Sequence, residues 1–240
     1  MKENYKFSDG IKDGIPIGLG YISVAFAFGI FATGMGLSVL EAVMISALNV
    51  TSAGQLAAVP IIAAHGGFLE LALTQLVINL RYALMSISLS QKCDGGVRLF
   101  DRFFIAFGNT DEVFAVASSK DKNVGRSYLY GLIIAPILGW TLGTLLGALA
   151  GDVLPDIVTN ALGIAIYAML VAVVVPKAKS DMNCAMCVLL SIILSCAFYF
   201  IPILQSVPSG FSIIICATAA SVIFAILKPI EDEEEECENA

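Results

Sequence analysis

The residue most marked for chemistry is Arg81, in the stretch LTQLVINLRYALMSIS, with no other charge between Glu70 and Lys92. An arginine in mid-membrane costs roughly 2.5 kcal/mol or more, so it is kept for a partner acid or a substrate path. Its candidate partners are the adjacent acids Asp111 and Glu112, with Glu41 as a third. A guanidinium grips a carboxylate through two parallel hydrogen bonds. An acid at the same depth holds an ammonium or a proton. In GNTDEVF, Asn109 is placed to cap a helix, with Glu112 three residues on as the return partner.

Other chemistries find less support. The pair Cys184 and Cys187 has metal-ligand spacing, but no second pair exists and the single histidine is His65. A zinc site needs four ligands, or three and a water, so no metal or other cofactor is expected. The remaining cysteines read as small apolar side chains in packed helices. The chain has no G-x-x-x-x-G-K-[ST] loop for ATP, no HExxH and no Ser-His-Asp set. An enzyme is not expected.

The elements that must position Arg81 are read from hydropathy. The chain is 58% hydrophobic and 14% charged, with a mean hydropathy of +0.87. Soluble proteins carry about 25% charged residues. A bilayer is crossed by about 20 apolar residues. Such runs occur at 15–34, 68–90, 127–150, 157–175, 182–203 and 209–227. Two more apolar segments are interrupted: 39–63 by NVTSAGQ and 103–118 by Gly108-Asn109-Thr110. The expected fold is all-α, a polytopic bundle of about six full spans plus two broken or re-entrant segments, with seven or eight spans as the alternative.

The basic residues discriminate between these counts. They cluster at 2–12, 92–102, 120–126, 177–179 and 228. If both interrupted segments return to the side they came from, every cluster lies on one side, as the positive-inside rule favours. Both termini are then cytoplasmic, in the plasma membrane. The expected organisation is an N-terminal segment 1–14, a transmembrane domain 15–228 and an acidic tail 229–240. Seven of the 20 acids fall in Glu231–Glu238, so the body is neutral and nucleic acid is not an expected partner. The tail reads as a solvated run.

On a helical wheel, Leu69, Leu73, Leu76, Leu80, Leu84 and Ile87 share an arc of roughly 120°, the apolar face of a helix. Thr74, Gln75, Asn79, Arg81, Tyr82, Ser86 and Ser88 take the other side, toward the bundle. In GWTLGTLLGALAG, the glycines Gly139, Gly143, Gly147 and Gly151 recur every four residues, a smooth stripe for close helix packing, more within the chain than between subunits.

The stretches YISVAFAFGIFATGMGLSVLEAVMIS (from Tyr21), INLRYALMSISL (from Ile78) and FGNTDEVFAVA (from Phe107) resemble the AzlC/YgaZ family of branched-chain amino acid exporters, over about residues 10–230. The resemblance implies export of leucine, isoleucine and valine, and methionine in some members. It implies a small partner membrane subunit of the AzlD/YgaH type. Carried over, the family's small-residue-then-glutamine stretch falls on Thr51, Ser52, Ala53, Gly54 and Gln55. Its Asn/Asp-x-Arg motif falls on Asn79 and Arg81, and its acidic pair on Asp111 and Glu112. The chain departs from the family with Thr51-Ser52 in place of Ala-Gly, Val50 in place of an aromatic and Tyr82 in place of histidine.

The expected substrate-binding set is therefore Arg81, Asn79, Gln55, Ser52, Asp111 and Glu112, with Glu41, Asp111 and Glu112 as coupling candidates. The competing expectation is a non-transporting structural subunit whose polar interior is ion-pair glue. Membrane lipid surrounds the chain in either case.

Overall fold

The computed structural model describes residues 5–151, 171, 174–176 and 178–227. The tail at 229–240 lies outside these residues, as does the span expected at 157–175 apart from residues 171, 174 and 175. The described chain is an all-α membrane helix bundle. Five of its helices are long and apolar enough to cross a bilayer: α1 (Phe7–Gly34), α4 (Phe68–Lys92), α7 (Arg126–Ala150), α8 (Met182–Phe200) and α9 (Ser209–Leu227). Four shorter helices stand between α1 and α7: α2 (Val39–Leu48), α3 (Ser52–Ala63), α5 (Leu99–Phe107) and α6 (Asp111–Ser118). The first helix starts eight residues before Ile15, so most of the expected N-terminal segment is helical.

The spine is the pair α1 and α7. The glycine stripe of α7 packs inside the chain, onto a second stripe in α1. A Cβ on Gly147 would strike the carbonyl oxygen of Phe26, one on Gly139 that of Gly18, and one on Gly18 that of Ala135. Gly10 lies on Tyr128 and Leu132, and Gly29 on Thr144 and Ala148. Contact residues rise together along both helices, so the two run parallel. Gly151 is the exception: its Cβ would meet the Thr33 side chain at 3.0 Å and the backbone of α1 not at all among its nearest atoms.

One end of this spine is a basic face. There Lys120 pairs with Asp13 at 2.7 Å, and the Tyr128 hydroxyl donates to Asp13. The end of α4 arrives at the same face: Val124 N–H donates to Lys92 C=O at 3.0 Å, and Asp94 N–H donates back to Val124 C=O. So α4 runs opposite to α1 and α7. Gly210 at the start of α9 donates its N–H to Glu70, in the first turn of α4, which places the start of α9 at the far face.

Both interrupted segments are re-entrant hairpins, and they enter from opposite faces. From the far face α2 descends to the break at Asn49–Thr51, where Val50 packs on Trp140, and α3 returns until Val59 lies with Leu37, Ala42 and Ala148. From the basic face α5 starts with Asp101 held by Tyr130, turns where Asn109 donates to Ser86, and α6 returns to Lys120. Broken backbone at membrane depth is tolerated only when it is buried in protein or lines a cavity. Both breaks meet that condition, with Val50, Asn109 and Thr110 buried.

The arginine helix faces largely as its periodicity requires, except that Ser88, expected inward, is exposed near the end of the helix and Leu89 is buried in its place. Leu69, Leu76, Leu80, Leu84 and Ile87 are exposed on the outside, and Thr74 is fully buried.

Candidate functional site

A cavity of about 480 Å3 opens where the two breaks approach the spine. Arg81 and Tyr82 reach it from α4, Tyr21 and Val24 from α1, and Trp140 from α7. The hairpins contribute Val50, Ser52 and Ala53 on one side and Thr110, Asp111 and Glu112 on the other.

Arg81 grips Asp111 with both nitrogens, Nη1 to Oδ1 at 2.9 Å and Nη2 to Oδ2 at 2.8 Å. Its Nη2 also donates to the Tyr82 hydroxyl at 3.2 Å. Glu112 does not join this pair. It accepts from the Tyr21 hydroxyl, which also lies 2.8 Å from Thr110 Oγ1. Thr110, and not Asn109, caps α6, accepting from Val113 N–H at 3.4 Å. Asp111 and Glu112 are thus first-turn residues and sit at the positive end of the helix dipole.

The second helix N-terminus at the cavity is bare. Thr51 caps α3 without a side-chain hydrogen bond, and its hydroxyl turns instead to Asn49. Ser52 and Ala53, whose N–H groups open the helix, line the cavity. The last turns of α2 and α5 supply no lining residue, so the cavity meets two helix N-termini and neither carbonyl end of the entering legs. One N-terminus carries two acids and the other none. The result is a pole for an anionic group at α3 and Arg81, and a pole for a cationic group at Asp111 and Glu112.

Three expected site residues lie elsewhere. Gln55 is fully buried behind the cavity wall, where it accepts from Trp140 Nε1 at 2.7 Å and donates to Ser46 Oγ at 2.7 Å. Ser46 continues the chain to Thr144 at 2.6 Å. This network fastens both legs of the first hairpin to α7. Asn79 donates to Gln75 at 3.0 Å, and Gln75 donates to Gly54 C=O at 2.9 Å, which ties α4 to α3. Glu41 is exposed and accepts from Ser38 N–H at 2.7 Å in a capping box at the start of α2. That corrects its place among the partners of Arg81: its sequence neighbourhood S-x-x-E is a cap signature.

Tyr21 and Trp140 are not among the residues expected at the site. Their rings meet edge to face, centroids 5.1 Å apart, and form the aromatic wall. The available signal was their polarity. A phenol or an indole N–H inside an apolar span needs a hydrogen-bond partner, and Ser46 and Thr144 in apolar runs need the same.

One family model and two curated relatives match the chain. The model of the family described as AzlC protein matches residues 16–154, from α1 past the end of α7. The chain is 33% identical over 138 residues to the Inner membrane protein YgaZ of Escherichia coli (strain K12), covering 56% of each chain. It is 33% identical over 140 residues to an Uncharacterized membrane protein of Archaeoglobus fulgidus, covering 58% of this chain and 60% of that one. The alignment spans little more than half the length of either relative. No solved structure matches the chain.

Proposed function

We propose, on the premise that this chain belongs to the AzlC family, that it is the transport subunit of a secondary exporter for neutral, mostly branched amino acids. The observation that carries this reading is the two-pole cavity: Arg81 and a bare helix N-terminus facing a helix N-terminus that bears two acids. A zwitterionic amino acid presents a carboxylate and an ammonium on one carbon. Helix N-termini at the membrane midplane are suited to the carboxylate. Its carboxylate replaces Asp111 on Arg81 and takes N–H groups from Ser52 and Ala53. Its ammonium goes to Asp111 and Glu112. Ile17, Val24, Val50 and Trp140 receive the aliphatic tail.

The basic face is the cytoplasmic one in this reading, and leucine, isoleucine, valine and methionine are the substrates. A small AzlD/YgaH-type subunit completes the transporter. Glu112 and Asp111 remain the coupling candidates.

The test is efflux from cells preloaded with labelled leucine, valine or methionine. The cells express the chain alone, with a small partner subunit, or as Arg81→Ala with that partner. Efflux that needs the intact chain and fails in a variant still present in the membrane supports the reading. No efflux of any of the three from an assembled pair overturns it.

A further inference from the structure

A second cavity, of about 260 Å3, lies between the last two turns of α4 and the entering leg α5. Leu89, Ser90 and Cys93 form one wall and Leu99, Arg102 and Phe103 the other. Its deep end is closed by Ser86 and Asn109, beside the second break. It belongs to no part of the substrate site described above.

Two observations say what fills it. The first is that α5 is poorly packed. Of its nine residues only Ile105 is buried, while Phe100, Phe103 and Phe104 are 79%, 68% and 64% exposed. The groove therefore opens on the side that faces lipid. Its walls are mostly apolar, with Leu89, Val97, Leu99, Phe103 and Ile105 among them, so an alkyl chain suits them.

The second observation is charge. Lys92 ends α4, Arg98 caps α5 and Arg102 lines the groove, all at its basic-face end. None of the three forms an ion pair with a described residue. Two acids lie close by: Asp94 accepts from Gly96 N–H at 2.8 Å, and Asp101 accepts from Arg98 N–H at 2.9 Å and from the Tyr130 hydroxyl at 3.0 Å and feels the charges of Arg126 and Arg98. At this end three cations, Lys92, Arg98 and Arg102, outnumber two acids, Asp94 and Asp101, and an apolar slot with a net positive end fits a phospholipid with a net negative headgroup. Basic pockets between membrane helices bind such headgroups.

We infer that this groove binds one anionic phospholipid from the leaflet at the basic face. An acyl chain lies between α4 and α5, and the headgroup sits among Lys92, Arg98 and Arg102. The lipid completes the packing of α5 and so steadies the hairpin that carries Asp111 and Glu112. A zwitterionic lipid brings the same chains but its own cation, and binds less well. The inference does not rest on the exporter reading.

Cys93 in the groove wall is a native reporter, and Cys196, exposed on α8, is a reference outside it. The protein is placed in nanodiscs of phosphatidylcholine alone or of phosphatidylcholine with phosphatidylglycerol. Labelling by an uncharged maleimide is followed peptide by peptide. Phosphatidylglycerol is expected to slow Cys93 and leave Cys196 unchanged. Arg102→Gln should weaken this protection about fivefold, the effect of one basic group near a membrane surface, and Arg102→Lys should retain most of it. Ser90→Phe, which fills the groove, should slow Cys93 in both lipids. Equal protection by phosphatidylcholine, or a phosphatidylglycerol effect that Arg102→Gln leaves intact, overturns the inference.

Discussion

Arg81 of α4 and Asp111 of α6 are joined by two parallel contacts of 2.9 and 2.8 Å across the mouth of the second hairpin. Their side chains remain 44% and 45% exposed to the central cavity, so the pair is accessible and not sealed. A bidentate clamp that an incoming carboxylate can reach is an exchangeable contact. Arg81→Lys keeps the charge and loses the fork. Efflux of labelled leucine is expected to fall by about tenfold, since a charged hydrogen bond contributes about 1.5–3 kcal/mol. Unchanged efflux would remove the carboxylate role.

The exchanged pair, Arg81→Asp with Asp111→Arg, separates a site from a packing contact. The swap keeps an ion pair between α4 and α6 but moves the cation to the helix that should receive the ammonium. Restored assembly without restored efflux is the expected outcome. Recovery of both would favour the structural-subunit reading.

Glu41 distinguishes capping from coupling. Its carboxylate holds Ser38 and the first turn of α2, and it does not line the cavity with Arg81. Glu41→Ala should lower the melting temperature in detergent slightly, as loss of a capping-box partner does, and leave the pH profile of efflux unchanged. A shifted profile would return Glu41 to the coupling candidates.

The two helix stripes predict a graded glycine series. A Cβ at Gly147 meets backbone, whereas one at Gly34 has nothing within 4 Å. Gly147→Ala is expected to reduce the yield of folded protein and its melting temperature in detergent. Gly34→Ala should resemble the parent. The Trp140–Gln55 bond adds a second stability test: Trp140→Phe leaves Gln55 Oε1 buried and unpartnered, a loss of about 1–3 kcal/mol.

Opposite faces for the two hairpins can be read by labelling from one side of the membrane. With Lys122→Cys and His65→Cys as probes, an impermeant maleimide outside the cell should reach the His65 position and not the Lys122 position. Labelling of both from one side would break the topology drawn from the packing.

The sequence by itself determined the membrane class, because the free energy of moving apolar side chains from water is local and additive. It also determined the inward face of α4, because one helical period sorts Arg81 from Leu80 and Leu84. The two interruptions were legible for the same reason: Asn, Thr, Ser and Gly inside an apolar run release backbone groups that lipid cannot satisfy. Residue roles were less legible, since a buried amide serves a ligand or a neighbouring helix equally well from its type alone. Gln55 holds Trp140 instead of lining the cavity, and Glu41 holds Ser38, because those partners lie nearer once the chain is folded. Only the tertiary structure brought Tyr21, 91 residues away in sequence, to Glu112 and left α3 uncapped at the same cavity. Those contacts follow from α1 and α7 closing on their glycines, which fixes the depth at which every other side chain meets its partner.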